Sequence, residues 1–201
     1  MGPAAAADCE RILDSWWGQP VNTSTSFAFI VAGVLVWWRR RELIPSGLIA
    51  GVGFGSIAFH GPMPSWGEFL HDLSIVLTLV WVVLVETRRL HWWLFGIALA
   101  TALAVTPAVA DPAQAVLAFA TVTVIAIVPE RRPKRLAALA ILGGGALIGT
   151  LARTGGPLCE PYSIWQGHGL WHVAAATSLA LWALLIRPSP LLPPRNPRFG
   201  A

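Results

Sequence analysis

Ser56 and His60 lie four residues apart, as do His168 and His172, and Asp72 falls between the two pairs in sequence. Residues i and i+4 of a helix share one face. If the flanking apolar segments are helical, each pair therefore presents its side chains to one space. Three imidazoles with no fourth protein ligand describe a zinc site with an open position, the arrangement of a catalytic rather than a structural centre. Zinc lowers the pKa of bound water to about 7 and polarises a carbonyl. Asp72 could orient such a water and take its proton, and Ser56 could donate a hydrogen bond to water or to an oxyanion. Two other readings of the histidines stay open. Each could cap a helix or bond a carbonyl, or the pairs could ligate haem iron, which would leave Ser56 and Asp72 without a task.

The elements that must position these groups are membrane helices. The chain has 201 residues, 55% hydrophobic and only 12% charged, with 11 Trp; a soluble domain carries roughly 25% charged residues. Seven apolar segments run from about Val21 to Trp38, Ile44 to His60, Phe69 to Val85, Trp92 to Ala110, Ala113 to Val128, Leu136 to Leu151 and Ile164 to Ile186. Several are near the lower limit of roughly 17 residues for crossing a bilayer. Within lipid only helices and closed barrels satisfy the backbone, and these continuous runs lack the alternation of a barrel strand. The expected fold is an all-α membrane protein of seven transmembrane helices over residues 1–187, with six and one re-entrant segment as the fallback. A Pro-rich tail follows at 188–201. The N-terminal Ala run lacks the basic and apolar regions of a signal peptide.

Charge sets the expected orientation. The net charge is +4, but the basic residues sit in short loops, a topology signal rather than a nucleic-acid surface. Arg39, Arg40, Arg41, Arg88, Arg89, Arg131, Arg132, Lys134, Arg135, Arg187, Arg195 and Arg198 fall on one side of a seven-helix layout, leaving Arg11 and Arg153 on the other. The positive-inside rule then places the N-terminus outside and the C-terminus in the cytoplasm. On this layout Ser56, His60, Asp72, His168 and His172 all come to the outer end. Trp16, Trp17, Trp66, Trp165 and Trp171 near that end, and Trp37, Trp38, Trp92 and Trp93 near the other, read as interfacial belts. His71 points roughly 100° away from Asp72 around its helix, which suits packing or an outer role on the site. His91 reads as interfacial. Cys9 and Cys159 also share the outer side, where an oxidising compartment permits a disulfide; two free thiols are the alternative. The glycines Gly51, Gly53 and Gly55, and Gly143, Gly144, Gly145 and Gly149, follow no strand and read as close helix packing.

Together these residues resemble the alkaline ceramidase family, within the seven-helix membrane hydrolases that include the adiponectin/progestin receptors. The matching pieces are Cys9-Glu10, Asn22-Thr23 with Ser26, Gly55-Ser56-Ile57-Ala58-Phe59-His60, His71-Asp72-Leu73-Ser74 and His168-Gly169-Leu170-Trp171-His172. The resemblance implies zinc on His60, His168 and His172, Ser56 and Asp72 serving the water, and hydrolysis of the amide of ceramide or a related N-acyl lipid to a fatty acid and an amine. The chain departs from the family at Leu73, where an acidic residue is usual, at Asp8 before Cys9-Glu10, where Trp is frequent, and at Gln19, where an acidic residue helps some members bind calcium. A calcium site here would rest on Glu10 with Asp8 or Asp14, since hard cations prefer oxygen, and would be weakened by Gln19. The competing functions are a lipid-binding receptor of the same architecture and, with little support, a transporter. The expected partner is a membrane lipid, not nucleic acid, and the Ala/Arg/Gly/Pro-rich composition points to a bacterial inner membrane with the site facing the periplasm.

Overall fold

The first long helix, α1 (Pro20–Arg40), begins where proline is best tolerated, at the first helical position. The buried Glu10 carboxylate takes the free N–H groups there, accepting from Val21 at 2.7 Å and Asn22 at 2.8 Å. Arg41 closes the helix in the left-handed region (φ 56°), its N–H donating to Trp37 O. The chain turns at once into α2 (Leu43–His60), and the two helices pack with backbones in close approach. A Cβ on Gly33 would meet Ser46 O and Ala50, and one on Gly53 would meet Ile30 and Ser26 O.

The structure is a computed structural model that describes residues 5–127 and 132–186; the expected tail from 188, and with it Arg195 and Arg198, lies outside the described residues. After α2 come α3 (Gly67–Glu86), α4 (Trp93–Ala104), α5 (Pro107–Ile127), α6 (Arg132–Leu151) and α7 (Gly167–Leu181), the last continuing into a π-helical turn, Trp182–Ile186. No strand occurs among the described residues. Contacts run from α1 to α2, α3, α5, α6, α7 and back to α1, so six helices form a ring. The remaining helix, α4, lies outside that ring on α3, where Trp93 meets Trp81 edge-on at 5.0 Å between ring centroids.

Five helices are long and apolar enough to cross a membrane: α1, α2, α3, α6 and α7 with its continuation. The expected segment from Trp92 to Ala110 is divided instead. Its helix stops at Ala104, and α5 starts at Pro107, well before the expected Ala113. The cause is local, because the residue before a proline, here Thr106, is biased away from helical backbone. The apolar stretches Leu90–Ala104 and Pro112–Ile127 are consequently short.

Four of the singled-out glycines pack as expected and three do not. Gly53 and Gly55 meet α1 and α3, and Gly145 and Gly149 receive Ala174 and Trp171 of α7, whereas Gly51, Gly143 and Gly144 face open space. Arg135 is also a correction. Expected in a basic loop, it is buried in α6 and pairs with Glu86 of α3 at 2.9 Å, both side chains at most 3% exposed. Glu86 also accepts from the indole N–H of Trp182 at 2.7 Å. Arg39, Arg41, Arg88, Arg89, Arg132 and Lys134 are exposed, as loop cations should be.

Candidate metal centre

His60 is the last residue of α2, while His168 and His172 occupy the first two turns of α7. Since α7 packs beside α1, with Gly169 against Val21 and Thr25, the start of α7 and the end of α2 meet across the top of α1. The ring centroids are 5.0 Å apart for His60 and His168, 5.1 Å for His60 and His172, and 4.6 Å for His168 and His172. One nitrogen from each lies within 4.8 Å of the others, close enough for a single ion to reach all three.

The hydrogen bonds show which nitrogens are free. Nδ1 of His60 faces Gln19 Oε1 at 2.6 Å. Gln19 is fully buried, and its amide nitrogen donates to Ala5 O at 2.8 Å and Glu10 O at 3.0 Å, so its oxygen is left to accept. Nδ1 of His172 faces Asn22 O at 3.2 Å, Thr25 Oγ1 at 3.2 Å and Ser26 Oγ at 3.3 Å. Both hydroxyls already donate to backbone carbonyls, at Val21 and Asn22, and can only accept from the ring. Nδ1 of His168 faces Asp8 Oδ1 at 3.2 Å. The rings of His60 and His172 are thus held as Nδ1–H tautomers. Each Nε2 is buried with no hydrogen-bond partner, a costly condition that a metal ion relieves. The donor set fits zinc: three imidazoles, of which His60 and His172 have the second nitrogen bonded to an amide or a carbonyl and His168 has it beside a carboxylate.

Such outer partners commonly carry 10–100-fold in metal affinity. Gln19→Leu, which keeps the bulk and removes the acceptor, should weaken zinc binding by roughly that factor in competition titrations with a chelating dye. Unchanged affinity would mean that the Gln19 contact does not orient His60.

Ser56 and Asp72, both buried, line one cavity of about 420 Å³ with His168 and His172. Asp72 stands in the second turn of α3, and its Oδ1 accepts from Gln114 Nε2 of α5 at 2.8 Å and lies 3.1 Å from His71 Nδ1. His71 is held by stacking on Phe59, 4.7 Å between centroids with an interplanar angle of 24°. Its expected outer role is therefore specific: it touches Asp72, not the three-histidine cluster's free nitrogens. Away from the mouth the cavity is lined by Phe29, Val52, Ile75, Leu79, Val82 and other apolar groups of the six-helix ring.

The three acids expected to serve calcium have separate surroundings. Glu10 spends both carboxylate oxygens on the start of α1. Burial pushes its carboxyl above the usual range, opposed by the Val21 and Asn22 N–H groups. Asp8 lies against His168, with exposed Arg153 4.0 Å away, and Asp14 is exposed. Among the described residues the group of three or more side chains suited to holding one metal is the histidine set, not these acids. Cys9 and Cys159 are bonded, Cα to Cα 5.6 Å. His91 is exposed beside Trp92. Trp16, Trp17, Trp37, Trp38, Trp66, Trp92 and Trp165 are exposed as interfacial anchors would be, whereas Trp93 packs on Trp81 and Trp171 on α6.

Sequence reasoning missed the partners of the imidazoles as such: Gln19, Asp8, Thr25 and Ser26, and likewise Gln114 beside Asp72. The signal available was polar clustering at the start of an apolar helix, where Asn22, Thr23 and Ser26 are all fully buried. No protein-family model matches the chain, and a search of the curated proteins finds no match either.

Proposed function

We propose that the protein is a zinc-dependent membrane amidase that hydrolyses an N-acyl lipid of the ceramide type to a free fatty acid and an amine. The observation that carries this reading is the cluster of three buried, partnerless Nε2 atoms, two of them on residues that line a largely apolar cavity together with Ser56 and Asp72. An amidase needs each part: a Lewis acid, a proton carrier, an oxyanion donor and a place for the acyl chain. The resemblance of the motifs around His60, Asp72 and His168 to alkaline ceramidases supports the amide as the bond cleaved.

His60, His168 and His172 would hold the ion. Zinc bound there supplies electrophilic polarisation and water acidified to a pKa of about 7. Asp72, aimed by Gln114 and His71, takes the proton that leaves the attacking water. The Ser56 hydroxyl donates to the oxygen that gains charge as the carbonyl carbon becomes tetrahedral. When the C–N bond breaks, Asp72 returns its proton to the departing nitrogen, so that water's OH ends on the acyl carbon and its H on the amine. The apolar cavity keeps the chain dry and its carbonyl at the mouth.

The orientation proposed is seven crossings, N-terminus outside, with the centre at the extracytoplasmic face of a bacterial inner membrane. Two observations support it. The Cys9–Cys159 disulfide lies at the metal end, as an oxidising compartment requires, and the exposed cations Arg39, Arg41, Arg88 and Arg89 cluster at the opposite helix ends.

The test is direct. Detergent-purified full-length protein is incubated with N-acyl sphingoid bases, and released fatty acid is measured by mass spectrometry. Release should stop on chelation and return with added zinc but not with magnesium, which prefers oxygen ligands. Release that is indifferent to chelation, or its absence from zinc-loaded protein, would reject the reading.

A further inference from the structure

Within that reading, we infer that Trp182 is the end wall of the acyl cavity and sets the length of chain the enzyme accepts. Three strips of lining descend from the site and stop at one level. The lining begins at His168 on α7 and at Glu68 on α3; below the site it continues from His172 to Trp182 on α7, from Asp72 to Val82 on α3, and from Gln114 to Ile125 on α5. Ten residues of helix rise about 15 Å. An extended polypeptide covers at most about 3.6 Å per three backbone bonds, so an all-trans chain gains about 1.2 Å per bond. The depth therefore suits an acyl chain of about twelve to fourteen carbons.

The wall is built to stay where it is. Trp182 is 3% exposed, and its indole N–H donates to Glu86, whose other oxygen is held by Arg135. A buried ion pair costs heavily in desolvation, and an apolar pair of similar volume commonly packs as well or better. Its presence directly behind Trp182, a lining residue, calls for a task, and pinning a large flat ring across the path is one. The backbone supplies a second, independent sign. The α-helical pattern of α7 gives way to a π-helical turn at Trp182 itself, and such turns are frequent at functional positions because they re-aim a side chain. Ala138 of α6, also buried, borders the cavity at the same level. A small side chain there leaves the indole as the bulky obstacle.

The experiment uses the full chain in detergent and compares wild type with Trp182→Ala, Trp182→Phe and Ala138→Leu. Binding of dodecanoic, tetradecanoic, hexadecanoic and octadecanoic acids is measured by native mass spectrometry, separately from hydrolysis of the matching N-acyl series. Wild type should prefer the two shorter acids. Trp182→Ala should move the optimum longer by on the order of three to four carbons. Trp182→Phe should move it less, and Ala138→Leu should move it shorter, a result that serves if Trp182→Ala does not fold. An optimum unmoved by both Trp182→Ala and Ala138→Leu overturns the wall, as does a wild type that binds none of the acids. Shifted binding without hydrolysis in any variant would keep the wall and remove the amidase. Hydrolysis with an unmoved preference would do the reverse.

Discussion

Protein carrying both His168→Ala and His172→Ala should retain less than about a tenth of the zinc bound by wild type, which should hold about one ion per chain. The size of the effect follows from the donor set. A zinc ion needs several protein donors to be retained, and this double replacement removes two of three, leaving His60 alone. The fold should persist, because α7 is seated by contacts that involve neither ring: Gly145 and Gly149 receive Ala174 and Trp171, and Gly169 meets Thr25. Elemental analysis beside far-UV circular dichroism separates the two effects. Equal zinc in both proteins, or iron with a haem absorption band in the wild type, would show that the histidines do other work.

Asp72→Asn should leave zinc bound and lower turnover by on the order of 10²–10⁴, the usual contribution of a positioned acid–base group. The replacement keeps the volume and a hydrogen-bonding oxygen facing Gln114, but it cannot accept the proton of the attacking water. Asp72 contacts His71 and Gln114 rather than the three ligands, so metal content and activity should separate in this variant, unlike in the histidine variants. The measurement is kcat at saturating substrate together with zinc per chain. Activity within about threefold of wild type would remove Asp72 from the chemistry, and parallel loss of zinc would make it part of the metal's support instead.

The three-histidine cluster was legible in the sequence because helical periodicity is local. His168 and His172 at i and i+4 must share a face, and His60 closes a recognisable apolar run. Most helix bounds followed from the same apolar runs, and they failed where composition hid a single backbone event, as at Thr106-Pro107 inside an otherwise apolar stretch. The outer partners were not legible, for a different reason. Gln19 reaches His60 because its backbone N–H donates to His60 O and the N-terminal segment folds back to offer its side chain the carbonyls of Ala5 and Glu10, and Asp8 reaches His168 across most of the chain. Such contacts depend on tertiary placement that no spacing rule encodes. Arg135 shows the same limit. As one of a run of basic residues it read as a loop cation, and only the rotation of α6 toward Glu86 decides that it is buried. The depth of the cavity is likewise a property of six helices at once.

The bond between Cys9 and Cys159 spans a sequence separation of 150, and this fixes an order of assembly. Cys9 precedes α1 in the chain, but its partner is synthesised only after α1 to α6. Until then the segment bearing Asp8 has no disulfide tie to the segment before α7, and the turn of α7 that carries two of the three imidazoles does not yet exist. The three-histidine cluster is therefore among the last parts of the molecule to be completed, and a nascent chain halted before Cys159 lacks two of its three imidazoles.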